Sequence, residues 1–387
     1  MTTTVTLPAA HHATTAATLA GPAALSVRSD APRSRDVYAA VHVVADPLRA
    51  CADLTVPQID WDSTLRLRHD LWALGLGVAE SMDTAQRGMG LTWAYARELA
   101  LRTLAEAATV GGRVVVGVST DQLDASSPTL NQIIDAYGEQ IDAVESAGGD
   151  VVMMASRHLA RVATSVDDYR TVYDAVLGAA TRPVILHWLG AAFDPQLAGY
   201  WGFDAPKAAM PAVTSLIADH GHKVRGIKVS LLDAALEIQL REMLSDAPAR
   251  VYTGDDFNYV DMIAGDGSTH SEALLGAFAA VPRFASAAFG RLDEGDPAGF
   301  REILQPTVRL SRLVFTTPTQ YYKVGVAWLA YLDGRQDHFK MIGGFETGRN
   351  VLHLAEVVRA AGEIGLFTDP EFTATRVEAF FAPYGAR

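Results

Sequence analysis

From residue 38 onward the chain alternates between two patterns. Short runs of β-branched or apolar residues are each followed by a longer stretch whose apolar positions recur at intervals of three and four. The short runs are apolar throughout, as a strand buried on both faces requires, and the longer ones fit helices with one apolar stripe. Strand then helix, repeated, predicts parallel strands joined by helical crossovers. Eight such units are counted, so the expected fold class is α/β, a (β/α)8 TIM barrel.

The strands are predicted at 38–44, 75–79, 113–118, 150–155, 183–188, 224–229, 250–253 and 267–270. The helices are predicted at 63–74, 83–108, 129–147, 166–180, 205–220, 231–244, 257–263 and 271–289. Asp62 or Ser63 is placed to cap the first helix, glycine pairs at 111–112 and 148–149 follow the second and third, and Pro206 opens the fifth. The first 35 residues, rich in Thr, Ala, Pro and Ser, hold no sustained period and read as an extended or partly ordered arm. After Gly290 the alternation stops, and helical patterns follow at 296–313, 319–332 and 348–361. The expected division is an arm over 1–35, the barrel over 36–290, and a C-terminal helical extension over 291–387.

A chain of 387 residues with 49% hydrophobic content can bury one barrel plus these additions. A net charge of −13 and a pI near 5.3 oppose binding to nucleic acid or to an anionic membrane surface. Cys51 is the only cysteine, which excludes an internal disulfide and cysteine-built metal centres and fits a reducing, cytoplasmic setting. No apolar run reaches the ~18 residues of a membrane span, and the first residues lack the features of a signal peptide. Of 32 basic residues only five are lysine, at 207, 223, 228, 323 and 340, which shortens the list of candidate amines.

One of these stands out. In the run from Val224 to Ser230, a period of two places Ile227 and Val229 on one face and Gly226, Lys228 and Ser230 on the other, which in a barrel points inward. A lysine held there is desolvated and loses its proton more readily; the neutral amine attacks a carbonyl to give a carbinolamine and then an imine. The protonated imine is an electron sink for C–C cleavage, C–C formation or loss of water at the adjacent carbon. The same position also suits a structural lysine paired with a carboxylate such as Asp255.

Four segments occur in a set order: Gly77-Val78-Ala79-Glu80-Ser81, Arg182-Pro183-Val184-Ile185-Leu186-His187, Gly226-Ile227-Lys228 and Tyr252-Thr253-Gly254-Asp255-Asp256. Their order and spacing over residues 39–334, with a helical tail behind, resemble the dihydrodipicolinate synthase and N-acetylneuraminate lyase superfamily of class I aldolases. The resembling features there are a Gly-Thr-Thr-Gly-Glu turn, a Pro-led strand ending in Tyr-Asn, the Schiff-base lysine, and a Ser/Thr-Gly-Asp-Asp/Glu loop. The arm and longer loops are closer to an uncharacterised, divergent branch. The resemblance implies a cofactor-independent Schiff-base lyase, an aldolase or dehydratase, that assembles as a dimer or tetramer. Its substrate is then a small hydroxylated carbonyl compound or keto acid.

The departures bear on which residues do what. Gly77 and Val78 replace the paired threonines that bind a substrate carboxylate in that family, and Ala191 and Ala192 stand where it has an arginine. A simple 2-oxo acid therefore loses its usual carboxylate contacts, and Arg157 or His158 is the nearest replacement. His187 falls at the family's proton-relaying phenol and can do general acid-base work near neutral pH; as an imidazole at a strand end it could equally be satisfied by a backbone carbonyl. The expected catalytic set is Lys228, His187 and Asp255, with Glu80, Ser81, Arg157, Trp188, Asp256 and His270 binding substrate. Each carboxylate could instead cap a helix or pair with arginine, and Trp188 could simply pack.

Two other readings use the same residues. His187, His270, Asp255 and Glu80 could converge on a divalent ion in a metal-dependent isomerase or aldolase acting on a sugar derivative, although no local ligand motif such as His-Glu-x-x-His is present. Alternatively the barrel binds sugars and has lost the reaction. No Gly-rich dinucleotide turn or phosphate loop occurs, so a nucleotide cofactor is not expected.

Overall fold

The computed structural model describes residues 2–49 and 56–385; Cys51 lies outside them. Eight parallel strands close into a barrel: β3 (Val37–Ala40), β4 (Gly77–Glu80), β5 (Val114–Val118), β6 (Asp150–Met153), β7 (Val184–Leu189), β8 (Val224–Ser230), β9 (Arg250–Thr253) and β10 (Glu272–Leu275). β10 pairs with both β9 and β3, which closes the ring. The interior is filled by Tyr38, Ala79, Val115, Val152, Ile185 and Tyr252 among others, while the outward residues join a much larger core beneath the helices. At the N-terminal end Asp36 accepts from Arg113 at 2.9 Å, Arg225 at 2.5 Å and the Tyr252 hydroxyl at 2.6 Å, so that end is sealed by a polar plug.

Local chemistry explains most boundaries. Asp60 caps the helix Trp61–Ala73 by accepting from Ser63 N, two residues before the expected start. Thr129 and Gln132 form a capping box on Leu130–Ser146, and Gly111 ends Trp93–Val110 in the left-handed region.

Four differences from expectation matter. The helix predicted from 83 begins only at Trp93, because Gln86, Gly88 and Gly90 take positive φ and turn 86–92 into a loop. The eighth strand is Glu272–Leu275, not 267–270, and the expected helix over 271–289 is replaced by Ala277–Ala280 and Pro282–Asp293. Pro306 splits 296–313 into Pro297–Leu304 and Thr307–Val314. Finally, the arm contains an antiparallel hairpin of β1 (Thr3–Pro8) and β2 (Thr14–Leu19), with Ala20 N donating to Gly362 O and Arg359 to Ala16 O. The N-terminus is thus fastened to the C-terminal helix Val351–Glu363. Among the described residues no helix is long and apolar enough to cross a membrane.

Candidate functional site

β7, β8 and β9 place His187, Lys228 and Tyr252 side by side, since Lys228 is in register with both neighbours. Ile185 and Tyr252 lie in the interior cluster, so a period of two also turns His187 and Gly254 inward. A Cβ built on Gly254 would lie 2.7 Å from Lys228 Cε and 2.2 Å from Ser230 Oγ. Gly254 is therefore the opening through which the lysine stem climbs one layer toward the C-terminal mouth. Lys228 is 7% exposed, and its amine makes no hydrogen bond or ion pair among the described residues. Burial lowers its pKa from the ordinary lysine value, and Asp83 and Asp256 pull the other way. Burial likewise raises the Asp256 carboxyl, whose Oδ1 accepts from Ala277 N at 2.9 Å. Both shifts favour the uncharged pair, amine and carboxylic acid.

His187 Nε2 sits 3.1 Å from Ser230 Oγ, and Nδ1 is buried with no partner. Burial first, and then the neighbouring Lys228, holds this imidazole well below its ordinary pKa, so it stands neutral beside the amine.

A cavity of about 660 Å³ opens over the C-terminal ends of β4 to β7, lined by Asp83, Arg87, Asp121, Arg157, His158 and Leu189 among others. Lys228 and His187 do not line it. Leu189 is two residues beyond His187 on the same strand, so the backbone that carries His187 and Lys228 lies one layer, about 6.6 Å, beneath the residue that reaches the cavity. Asp83 connects the two levels: it lines the cavity, acts through space on Lys228, and its carboxylate accepts no hydrogen bond among the described residues. Arg87 is consumed internally, pairing with Asp121 and donating to Ser81 O, Gly117 O and Gln140. Arg157 pairs with Asp194 through Nε only.

The expected residues divide clearly. Lys228, His187 and Asp256 come together, and Arg157 and His158 reach the mouth cavity. Asp255 faces away: its Oδ1 accepts from Phe257 N and Asn258 N and its Oδ2 from the Asn258 amide, so it shapes the loop after β9. Glu80 points outward to the helices, where it receives two bonds from Arg68, at 2.8 and 2.9 Å, and one from Thr103 at 2.6 Å. Ser81 donates to Ala96 O at 2.9 Å in the same layer. Trp188 packs outward near Trp201. His270 precedes β10 and lies at the opposite end of the barrel, beside Glu272 and Arg250. The four metal ligands of the alternative reading thus do not meet, and no group of three or more His, Cys, Asp or Glu among the described residues is placed to hold an ion.

Sequence reasoning missed Asp83, Tyr322 and Lys323. Tyr322 opens the helix Tyr322–Leu332 and meets Thr84 Oγ1 at 2.6 Å, which ties the extension to the loop after β4. Asp83 was hidden inside the helix expected from 83, although Gly88 and Gly90 signal the break.

Solved structures with this architecture include dihydrodipicolinate synthase from Oceanobacillus iheyensis, 13% identical with a TM-score of 0.60 over 84% of this chain and 96% of that one. The dihydrodipicolinate synthase from Acinetobacter baumannii, solved with pyruvate, is 14% identical with a TM-score of 0.62 over 86% and 99%. CdNal from Clostridium difficile, solved with mannosamine, is 13% identical with a TM-score of 0.56 over 90% and 99%. At such identities the fold is what is shared. No curated protein matches the chain. A family model described as "Protein of unknown function (DUF993)" matches residues 5–386, and the chain belongs to that family, on the fold of the dihydrodipicolinate synthase and N-acetylneuraminate lyase structures.

Proposed function

We propose that this protein is a Schiff-base-forming lyase, an aldolase or dehydratase of class I type, acting on a small hydroxylated carbonyl compound. The observation that carries the reading is Lys228: an inward, buried amine with no carboxylate bound to it, depressed in pKa, and given room by Gly254. A lysine kept only for structure would be expected to hold an ion pair, since an unpaired buried charge is costly.

In the reaction the Nζ lone pair attacks the carbonyl carbon, and the carbinolamine loses water to give a protonated imine. In cleavage the β-hydroxyl loses its proton, its O–H pair forms the carbonyl of the departing fragment, and the Cα–Cβ pair flows into the imine to give an enamine. In dehydration a Cα–H proton is removed, the pair flows into the imine, and the enamine expels the β-hydroxyl as water. Protonation of the carbon skeleton and hydrolysis of the imine then restore the amine. Neutral His187 takes and returns that proton, with Ser230 fixing its ring. Asp256, next to the amine and raised by burial, supplies a proton to the departing carbinolamine oxygen. Asp83 accepts from a substrate hydroxyl at the cavity floor. No cofactor enters this scheme. A homodimer or homotetramer accompanies the reading, to be measured by sedimentation.

The test is borohydride reduction with a panel of 2-oxo acids, keto sugars and sugar lactones, followed by peptide mass spectrometry. The expected result is a substrate-dependent mass increase on Lys228 that Lys228→Ala abolishes while the protein stays folded. Turnover by Lys228→Ala at the parent rate overturns the imine mechanism, and binding of the panel with no adduct overturns the proposal in favour of a barrel that only binds.

A further inference from the structure

Lys323, in the first turn of the helix Tyr322–Leu332, is 2% exposed. Its only hydrogen-bond contact among the described residues is with Met89 Sδ at 3.1 Å, a thioether and thus a weak acceptor. Among the described residues no carboxylate forms an ion pair with it. Lys323 lines a second cavity of about 370 Å³, which shares Asp83, Arg87, Arg157, Asp194, Gln196 and Phe345 with the mouth cavity, so the two adjoin. Arg157 lines both, and with Nε on Asp194 its terminal nitrogens make no hydrogen bond among the described residues. Two cations therefore offer unused donors to one space. Asp83, whose carboxylate accepts no hydrogen bond among the described residues, lines both cavities and raises the pKa of both Lys228 and Lys323.

We propose that Lys323 and Arg157 bind an anionic group of the substrate. Given the imine at Lys228, on which this rests, the substrate is a hydroxylated carbonyl compound with a carboxylate or phosphate at the end remote from its carbonyl. The carbonyl would then reach Lys228 beneath the cavity, with a hydroxyl at Asp83 and the anion at Lys323 and Arg157. The C-terminal extension then supplies specificity that the barrel alone lacks. The buried ammonium has the Met89 sulfur and the Tyr322 ring, 5.3 Å away, as its near contacts and no carboxylate in ion-pair contact among the described residues, so an anion here meets an ammonium and a guanidinium fork already in place.

Two arms test this. Calorimetric titration of inorganic phosphate and of acetate into the full chain, at matched ionic strength, is expected to show saturable binding of one of them, identifying the anion. Lys323→Met should weaken that binding at least about ten-fold and Lys323→Arg should restore it. Equal binding of both anions by the parent and Lys323→Met, or no binding by the parent, overturns the subsite whether or not an imine forms. In the second arm, borohydride trapping on Lys228 is compared for fructose, 5-ketogluconate and fructose 6-phosphate. The parent is expected to trap a charged ketose at concentrations at least about ten-fold below the neutral one, and Lys323→Met to lose that preference. Retained preference in Lys323→Met refutes the assignment, whereas absence of every adduct with anion binding intact faults only the imine.

Discussion

Glu80 stands in a segment that resembles an active-site turn, yet the structure makes it a structural ion, and Glu80→Gln separates these roles. Both Arg68 and Glu80 are fully buried, and the carboxylate receives four donors: two from Arg68, one from Thr103 and one from Ser81 N at 2.7 Å. The amide keeps the shape but turns a donor toward donors and leaves the guanidinium without a counter-charge. Breaking a buried pair in this way costs about 3–5 kcal/mol. The unfolding entropy of a chain this long is about 0.8 kcal/mol per kelvin, so the midpoint should drop by roughly 4–6 °C. Differential scanning calorimetry reads the drop, and borohydride trapping at a temperature where both proteins are folded reads the chemistry. The expected outcome is a clear loss of stability with an adduct rate within about two-fold of the parent. A variant as stable as the parent that no longer forms the adduct would falsify the outward assignment and return Glu80 to the substrate.

Gly254→Ala should do the reverse. Its Cβ meets Lys228 Cε, Ser230 Oγ and the Val229 carbonyl at 2.2 to 2.9 Å; overpacking of this kind costs about 1–3 kcal/mol, while an amine displaced by about 1 Å should react on the order of a hundred-fold more slowly. An adduct rate equal to the parent's contradicts the lysine's path. Because attack needs the neutral amine, the trapping rate should rise with pH and level off below the ordinary lysine value; a profile inflecting at about 10.4 or above is incompatible with a depressed Lys228. His42, bound to Gln336 and held down to about 3 chiefly by burial, tests the barrel itself. Its folded pKa lies below the unfolded one, so the unfolded chain takes up the proton first as pH falls from about 6.5 toward 3. The parent should therefore lose about 2 kcal/mol relative to His42→Gln between pH 7 and 5, measured in urea; a constant difference means the ring is not kept neutral by the fold.

How much of this the sequence discloses depends on how consistently one rule is applied. Alternation along Val224–Ser230 is enough to turn Lys228 inward, and the structure keeps it there. The same rule on β4 and β7 sends Glu80 and Trp188 outward, beside the inward Ala79 and His187, and on β9 it carries the inward face from Tyr252 through Gly254 to Asp256, passing over Asp255. Proximity to a strand end is a weaker guide than parity along the strand. The eighth strand was harder to find because Glu272 to Leu275 consists of good helix formers, and only the demand to close the ring between β9 and β3 makes Glu272–Leu275 extended. That slip of a few residues put His270 at the mouth when it belongs to the opposite end.

Lys323 was beyond local reasoning, and Asp83 was open to it only through the glycines that break the expected helix. A lysine in an apolar helix reads as a surface residue until the helix is seen to cover the mouth, and Asp83 counts only once the loop after it is known to be a loop. What places them is the docking of the C-terminal extension through Tyr322 onto Thr84, a contact spanning most of the chain that no periodicity encodes. On the proposed reading the barrel positions the amine of Lys228, and the part of the chain outside the barrel, through Lys323, would decide what surrounds the molecule that reaches it.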